Sequence, residues 1–245
     1  MWNRAETQVI LALIRHGATS ANREHRYLGS TDESLSKEGI MTLMSYKQQK
    51  KYPDVDYLFT SPMRRCLETA AILYPNLCPV MIPEWTEMDF GEFEYKNYEE
   101  LNGDARYQAW IDNGGTIAFP GGESREEFIQ RCEHGFVRMY GELHRAAELC
   151  QKRAVHAGII VHGGTIMALM SSHDCAQSGK FVCSQEGVCD GVCSDALRQK
   201  DYFDYQVANG RGYLCRMEIK NDDESCAQTN DRQMKQIWIR EIKKL

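Results

Sequence analysis

The stretch Val9-Ile10-Leu11-Ala12-Leu13-Ile14-Arg15-His16-Gly17 decides how the rest of the chain is interpreted. A continuous apolar run of this length, rich in β-branched residues, is typical of a strand buried on both faces in a parallel sheet. In open α/β sheets, ligands bind beyond the carboxyl ends of the strands. Arg15 and His16 are therefore candidates for a functional site, although a core strand that merely ends in polar residues has the same pattern.

The composition indicates an ordinary globular chain. It has 245 residues, of which 42% are hydrophobic and 26% charged. We find neither internal repeats nor a linker, so we expect one domain over residues 1–245. The formal net charge of -6 argues against a nucleic-acid partner or an anionic membrane surface, since both need a basic surface. A small anionic substrate remains compatible with it, and the sequence leaves the oligomeric state open.

The sequence predicts a cytoplasmic location. Its longest apolar run is far shorter than the ~20 residues that a transmembrane helix needs. The run Val9–Ile14 is also too short for a secretory signal, and Arg15 closes it. Ten cysteines are many for this length. Without an export signal, we expect them to be free thiols in a reducing compartment.

Strands and helices alternate in the first third of the chain. Ser36 is expected to N-cap a helix from about Lys37 to Tyr52. A second strand over 56–60 leads into Ser61-Pro62, a pair that predicts a helix start with Ser61 as the N-cap. A third, short strand is predicted over 80–82.

The middle of the chain departs from this alternation. Residues 84–122 are rich in aromatic and acidic side chains and predict a lid or substrate-selecting insertion over the sheet. Short helices are expected within it over 98–101 and 105–112. The capping-box pattern S-x-x-E at Ser124 then predicts a long amphipathic helix that ends near Lys152.

The last third begins with the same order of features as the opening stretch: an apolar strand, then His-Gly, then a helix. A strand over 158–161 ends in His162-Gly163-Gly164, and a helix is predicted over 165–171. Residues 172–200 form a cysteine-rich insertion, and two late strands over 213–219 and 236–242 are expected to pair antiparallel at a sheet edge. The whole pattern predicts a three-layer α/β/α fold with a mostly parallel central sheet.

The predicted strand ends bring chemically related side chains to one edge of the sheet. Arg15, His16 and His162 end strands, Arg65 lies in the first turns of the helix after a strand, and Glu87 follows the third strand. An imidazole nitrogen can attack phosphorus while guanidinium groups neutralise the non-bridging oxygens. A carboxylic acid can protonate the leaving oxygen and later deprotonate water. This set of residues therefore favours phosphoryl transfer.

Several separated motifs, in the right order, resemble the histidine phosphatase superfamily and its phosphoglycerate mutase-like fold. The matching segments are RHGAT at 15–19 with Asn22, RYLGSTD at 26–32, SPMRRCLETA at 61–70, EMDFGEFE at 87–94 and HGG at 162–164. The resemblance implies an enzyme that needs neither a cofactor nor a metal.

The resemblance also implies a role for each matching residue. His16 would be the nucleophile and form a phosphohistidine, and Glu87 would be the general acid and then the base. The other residues would bind the phosphoryl group: Arg15, Arg65 and His162 line the pocket and stabilise the transition state, Asn22 contacts the phosphate, and Gly29 and Gly163 line the approach.

Two of these assignments involve a choice between neighbours. The S-P-x-x-R register of the family selects Arg65, and Arg64 is rotated by about 100° away on a helix. The family places its acid ahead of the acidic-Phe-Gly turn, which selects Glu87. We expect the competing Glu84 and Glu94 to be solvated loop carboxylates.

Within the family, the chain resembles the phosphatase branch, which includes α-ribazole phosphatase-like and fructose-2,6-bisphosphatase-like enzymes. The segment 120–124, followed by Phe128 and Arg131, carries this resemblance. The segment 94–101 is also similar, except that Tyr95 stands where many relatives have glycine. We therefore predict a phosphomonoester hydrolase for a small phosphorylated metabolite. The alternatives are a mutase of the phosphoglycerate type and a non-catalytic binding scaffold.

The cysteine-rich insertion departs from the family pattern. Its cysteines are Cys175, Cys183, Cys189 and Cys193, and their spacing lacks the paired C-x-x-C arrangement of zinc sites. We expect a surface insertion without a structural metal.

Overall fold

In the computed structural model, which describes residues 8–150, 154–173, 201–219 and 237–245, the opening apolar run forms a central strand. The strands are β1 (Gln8–Arg15), β2 (Tyr57–Thr60), β3 (Val80–Met81), β4 (Ala154–Val161), β5 (Gly212–Ile219) and β6 (Ile237–Lys244), in the order β3-β2-β4-β1-β5-β6. The first four are parallel, whereas β5 and β6 are antiparallel to their neighbours. This confirms a mostly parallel sheet with an antiparallel pair at one edge.

Helices cover both faces of this sheet. They are α1 (Ser20–Arg23), α2 (Lys37–Gln48), α3 (Arg64–Leu73), α4 (Ala105–Asp112), α5 (Arg125–Cys150) and α6 (Gly163–His173), with short 3₁₀ helices at Pro83–Trp85, Gly91–Phe93 and Tyr202–Tyr205. Leu13 of β1 belongs to the same buried cluster as Phe136 of α5. Ile14 points to the opposite face and clusters with Leu43 of α2. Alternate residues of one strand thus face two cores, and the three-layer prediction is confirmed.

The helix after Ser36 is shorter than predicted. Ser36 is its N-cap, and the Oγ atom accepts a hydrogen bond from the Gly39 amide at 3.0 Å. The helix ends at Gln48 rather than near Tyr52. Lys50 has a left-handed backbone conformation with φ of 54°, which interrupts the helix before Pro53 is reached.

The prediction that Ser61 caps the third helix is wrong. Helix α3 begins at Arg64, and its N-cap, Met63, makes no side-chain capping bond. The amide of Arg64 instead donates to Asp32 Oδ1 at 2.7 Å. The hydroxyl of Ser61 lies 2.8 Å from Nε2 of His162, a partner from a distant strand end that local sequence rules do not consider.

Several other boundaries also differ from the predictions. Residues 98–101 form turns rather than a helix: Asn97 Oδ1 accepts the amides of Glu99 and Glu100, but the segment stops after about one turn at Gly103, which has a left-handed φ of 87°. The predicted helix over 105–112 and the capping box at Ser124 are confirmed. The short strand β3 stops at Met81, and α6 begins at Gly163, ahead of the predicted start.

Two predictions about the environment of the chain can be compared with the described residues. Cys66, Cys78, Cys132 and Cys215 carry free thiols. Across the described ranges, no helix has both the length and the apolar character needed to cross a membrane. Residues 174–200 of the cysteine-rich insertion lie outside the described residues.

Candidate active site

His16 lies at the carboxyl end of β1 and is almost fully buried, with 3% of its surface exposed. Its Nδ1 atom lies 2.7 Å from the carbonyl oxygen of Gly17. Because a carbonyl oxygen can only accept, Nδ1 carries the ring proton and Nε2 keeps its lone pair. Burial, reinforced by the charges of Arg65 and Arg15, holds the pKa of His16 well below its usual value. The ring is therefore neutral at neutral pH and has the form that a nucleophile needs.

Two guanidinium groups flank this histidine, one of them buried and the other partly buried. The Arg65 side chain has no exposed surface and donates to the carbonyl oxygens of Thr31 at 2.8 Å and Gly29 at 3.0 Å. Arg15 donates to the carbonyl oxygen of Val207 at 2.8 Å, and its buried Nε has no hydrogen-bond partner. Burial lowers the pKa of Arg15, the Glu87 charge partly opposes this shift, and Arg65 adds to it. Within the described ranges, neither arginine forms a salt bridge, and two guanidinium groups facing one nearby carboxyl favour the binding of an anion.

His162 follows β4 and faces His16, with 5.2 Å between the ring centroids. Arg65 Nε donates to its Nδ1 at 3.2 Å, so its proton lies on Nε2, which donates to Ser61 Oγ at 2.8 Å. Burial is the main reason that the pKa of His162 lies well below its usual value. The site thus contains two neutral imidazoles with defined tautomers.

Glu87 reaches the same place from the loop after β3. Its carboxylate accepts hydrogen bonds from the amides of Met88 at 3.0 Å and Gly164 at 3.2 Å. Burial nevertheless raises the pKa of Glu87, outweighing these bonds and the charges of Arg65 and Arg15. A raised pKa extends the protonated form to higher pH, as a general acid requires.

The glycines after His162 are needed for this arrangement. A Cβ atom on Gly164 would lie 2.3 Å from Glu87 Oε1, closer than any real contact. A Cβ on Gly163 would lie 3.3 Å from Arg15 Cζ. The His162-Gly163-Gly164 motif therefore leaves room for the acid and for one of the guanidinium groups.

Asn22 is held at the site by a residue that the sequence did not indicate. Asn209 Nδ2 donates to Asn22 Oδ1 at 3.0 Å and to the carbonyl oxygen of His16 at 3.1 Å. Thr19 N donates to the same Oδ1 at 3.2 Å. Since these contacts use the oxygen, the Asn22 amide nitrogen is available as a donor. Asn209-Gly210 is a turn signal in the sequence, but nothing in the pattern connects it with His16.

The prediction that Glu94 is a solvated loop carboxylate is wrong. Its Oε1 accepts hydrogen bonds from the amides of both Gly29 and Thr31 at 2.9 Å. The carbonyls of the same two residues accept from Arg65, so Glu94 holds the loop that holds the arginine. Gly29 is crowded as well, since a Cβ there would lie 2.0 Å from the carbonyl oxygen of Met88.

The structure brings the predicted site residues together at one edge of the sheet. Arg64 is exposed, in agreement with the choice of Arg65, and Glu84 pairs with Arg138 at 3.4 Å on the surface of α5. Tyr95 has a left-handed backbone with φ of 62°, which explains why glycine is suited to that position.

In the part of the chain that the structure describes, no cluster of three or more His, Cys, Asp or Glu residues could hold a metal ion.

The chain is similar to several known proteins. The model of the histidine phosphatase superfamily (branch 1) matches residues 11–185. An adenosylcobalamin/alpha-ribazole phosphatase of Escherichia coli is 32% identical over 133 residues, which cover 53% of this chain and 66% of that protein, just under two thirds. A 2,3-bisphosphoglycerate-dependent phosphoglycerate mutase of Beijerinckia indica is 25% identical over 170 residues, which cover 66% of this chain and 79% of that protein.

A solved structure has the same fold. The alpha-ribazole phosphatase of Shigella flexneri superimposes with a TM-score of 0.63, and the match covers 86% of this chain and 91% of that one. At 22% sequence identity, this likeness concerns the fold alone.

Proposed function

Because the chain belongs to the histidine phosphatase superfamily (branch 1), we propose that it hydrolyses the phosphomonoester of a small metabolite through a phosphorylated His16. One observation carries this proposal. The neutral His16 ring keeps a lone pair on Nε2, beside the buried Arg65 and the partly buried Arg15, which make no salt bridge within the described residues. This arrangement is suited to a nucleophile that attacks a bound dianion.

The first step transfers the phosphoryl group to the enzyme. Arg15 and Arg65 bind the non-bridging oxygens, Asn22 donates a further hydrogen bond, and His162 orients Arg65 by accepting its Nε hydrogen. His16 Nε2 supplies the electron pair of the new N–P bond while the P–O bond to the leaving group breaks. Glu87 gives its proton to the leaving oxygen, which departs as an alcohol.

The second step returns the enzyme to its starting state. The Glu87 carboxylate removes a proton from a water molecule, and the water oxygen attacks the phosphorus. The N–P bond breaks, its electron pair returns to His16, and inorganic phosphate leaves. The two guanidinium groups supply the positive charge that both transition states need, so we propose that the reaction requires no metal.

The environment of the thiols supports a reducing compartment. Cys66 and Cys132 are free and fully buried in the core. We therefore propose a cytoplasmic location, in which such thiols stay reduced.

The test is hydrolysis of p-nitrophenyl phosphate in the presence of a chelator. We expect wild type to release phosphate and His16→Ala to release none, while Arg23→Gln, an exposed change, keeps full activity. Acid-labile label from ³²P-phosphate ester should remain on wild type after rapid quenching and be absent from His16→Ala. Activity that survives in His16→Ala would contradict the proposal. Interconversion of phosphoglycerates without release of phosphate would indicate a mutase instead.

A further inference from the structure

We infer that Arg131 is a positioning residue for the general acid, because its guanidinium fixes the main chain of the loop that presents Glu87. This inference rests on the function proposed above. Arg131 lies in the second turn of α5 and does not approach His16 or the two pocket arginines through any hydrogen bond of the described residues. Its donors point instead at the segment 84–87.

The guanidinium binds three residues of that segment. Arg131 Nη1 donates to the carbonyl oxygens of Glu84 at 2.8 Å and Thr86 at 3.0 Å, and to Thr86 Oγ1 at 2.9 Å. Nη2 donates to the carbonyl oxygen of Glu87 at 3.3 Å. The 3₁₀ helix spans Pro83–Trp85, so the Glu84 carbonyl belongs to its last turn and the Thr86 and Glu87 carbonyls follow its end. Main-chain groups in such a segment need partners from elsewhere, and Arg131 provides them.

Glu123 holds the guanidinium from the other side. Arg131 Nε donates to Glu123 Oε2 at 3.2 Å, and Nη2 donates to Oε1 at 2.5 Å. The same Oε1 accepts the amide of Asp89 at 2.9 Å, and the Glu123 amide donates to the Asp89 carbonyl at 3.1 Å. The Arg131–Glu123 pair therefore binds the chain both before and after Glu87.

The contacts of the acid explain why this matters for catalysis. The Glu87 carboxylate takes hydrogen bonds from the amides of Met88 and Gly164, so its direction depends on the main chain at 87 and 88. A shift of that loop would move the proton away from the leaving oxygen, and a displacement of about 1 Å can cost about 10²-fold in rate. A planar fork with five donors can bind carbonyls on one side and a carboxylate on the other, whereas a lysine ammonium cannot.

The loop has a second anchor, which makes the inference testable without unfolding the protein. Trp85 is fully buried, and its Nε1 donates to the carbonyl oxygen of Cys132 at 3.1 Å. We therefore expect the loop of Arg131→Lys to stay docked on α5 while the main chain at Glu87 loses its fixed direction. The variant therefore changes the direction of the Glu87 carboxylate and not the docking of the loop.

The experiment compares kcat/KM for an ester with a good leaving group, p-nitrophenyl phosphate, and one with a poor leaving group, an alkyl phosphate. A general acid matters more for the poor leaving group. We expect Arg131→Lys to lose about 10²-fold on the alkyl ester and a few-fold on the aryl ester, the same pattern as Glu87→Gln. Arg138→Lys is the matched control, because Arg138 lies on the same helix and contacts only the Glu84 side chain among the described residues.

The outcomes are distinct. Suppose that Glu87→Gln shows the leaving-group dependence. The inference is then overturned if Arg131→Lys loses the same factor in kcat/KM on both esters, or loses nothing on either. If Glu87→Gln shows no such dependence, the proposed role of Glu87 fails instead. Should Arg131→Lys not fold, Glu123→Gln gives the same comparison, since it weakens the guanidinium's far contact and leaves the arginine in place. An unchanged ratio of the two rates in that variant would equally refute the positioning role.

Discussion

Arg65 donates its Nε hydrogen to Nδ1 of His162 across 3.2 Å in the buried interior of the site. A guanidinium always donates, so the contact requires the His162 proton on Nε2, which points at Ser61 Oγ. The tautomer of one predicted site residue is thus set by another. Ser61 completes this chain of contacts although its sequence context indicates a helix cap.

We expect Ser61→Ala to lower kcat/KM by about tenfold, because the His162 ring loses the hydroxyl that fixes its orientation and keeps only the weaker Cys66 Sγ acceptor at 3.6 Å. Ser36→Ala is the matched control, since the Ser36 hydroxyl caps a helix through the Gly39 amide and bonds none of the predicted site residues. It should lower the free energy of unfolding by about 1 kcal/mol and leave kcat/KM unchanged. Steady-state kinetics and urea unfolding of both variants check this. Unchanged kinetics in Ser61→Ala would contradict it.

Replacing Glu94 should weaken the site from a distance. Glu94→Ala removes the acceptor for the Gly29 and Thr31 amides, so we expect about 2 kcal/mol less stability and about tenfold lower kcat/KM, as Arg65 loses its fixed loop. Glu94→Gln keeps an oxygen at Oε1 and should restore most of the activity. Vanadate affinity, measured alongside, should fall in the alanine variant. Equal kcat/KM in Glu94→Ala and Glu94→Gln would contradict the role of the Oε1 acceptor.

Gly164→Ala should act on the acid directly. The added Cβ would lie 2.3 Å from Glu87 Oε1, and the carboxylate must move. We expect kcat/KM to fall toward the level of Glu87→Gln, a loss of about 10²–10⁴-fold. Gly141→Ala in α5 is the control, because nothing lies within 4 Å of its new Cβ. That variant should gain up to about 1 kcal/mol of stability with normal kinetics, and equal kinetics in the two variants would refute the steric argument.

The pH dependence of kcat/KM should follow the two shifted groups. The pKa of His16 lies below its usual value, so the active neutral ring is lost only as pH falls through that lowered value, well under 6.5. The pKa of Glu87 is raised, so its proton is lost as pH rises through a value above 4.5. We expect the alkaline limb of the profile to disappear in Glu87→Gln while the acid limb remains. If the alkaline limb persists in this variant, it belongs to a group other than Glu87.

Binding of inorganic phosphate should stabilise the fold. The buried charges of Arg15 and Arg65 disfavour the empty site, and an anion neutralises them. Phosphate at 100 times its Kd should add about 2.7 kcal/mol to the free energy of unfolding. Thermal unfolding with and without phosphate measures this. Arg15→Gln should show a smaller shift than wild type, and Arg23→Gln, on an exposed pair, the same shift. Equal shifts in all three would place the phosphate elsewhere.

Much of the fold could be predicted because its determinants are local. The apolar run that became β1 and the strand that ends at His162 are legible from periodicity, and Ser36 and Ser124 cap the helices that they precede. The same locality explains the errors. Lys50 turns left-handed and ends a helix early, and the left-handed Gly103 stops the predicted 98–101 helix after a turn.

The sequence alone predicted which side chains collect at the carboxyl edge of the sheet, since Arg15, His16 and His162 end predicted strands and the family resemblance selected Arg65 and Glu87 from their neighbours. Tertiary structure alone decided what those side chains touch. Ser61 with His162, Glu94 with the Gly29 amide, and Arg131 with the Glu87 loop are contacts between residues far apart in the chain. A polar side chain takes whichever partner the packed fold brings within hydrogen-bond distance, and no local pattern records that distance.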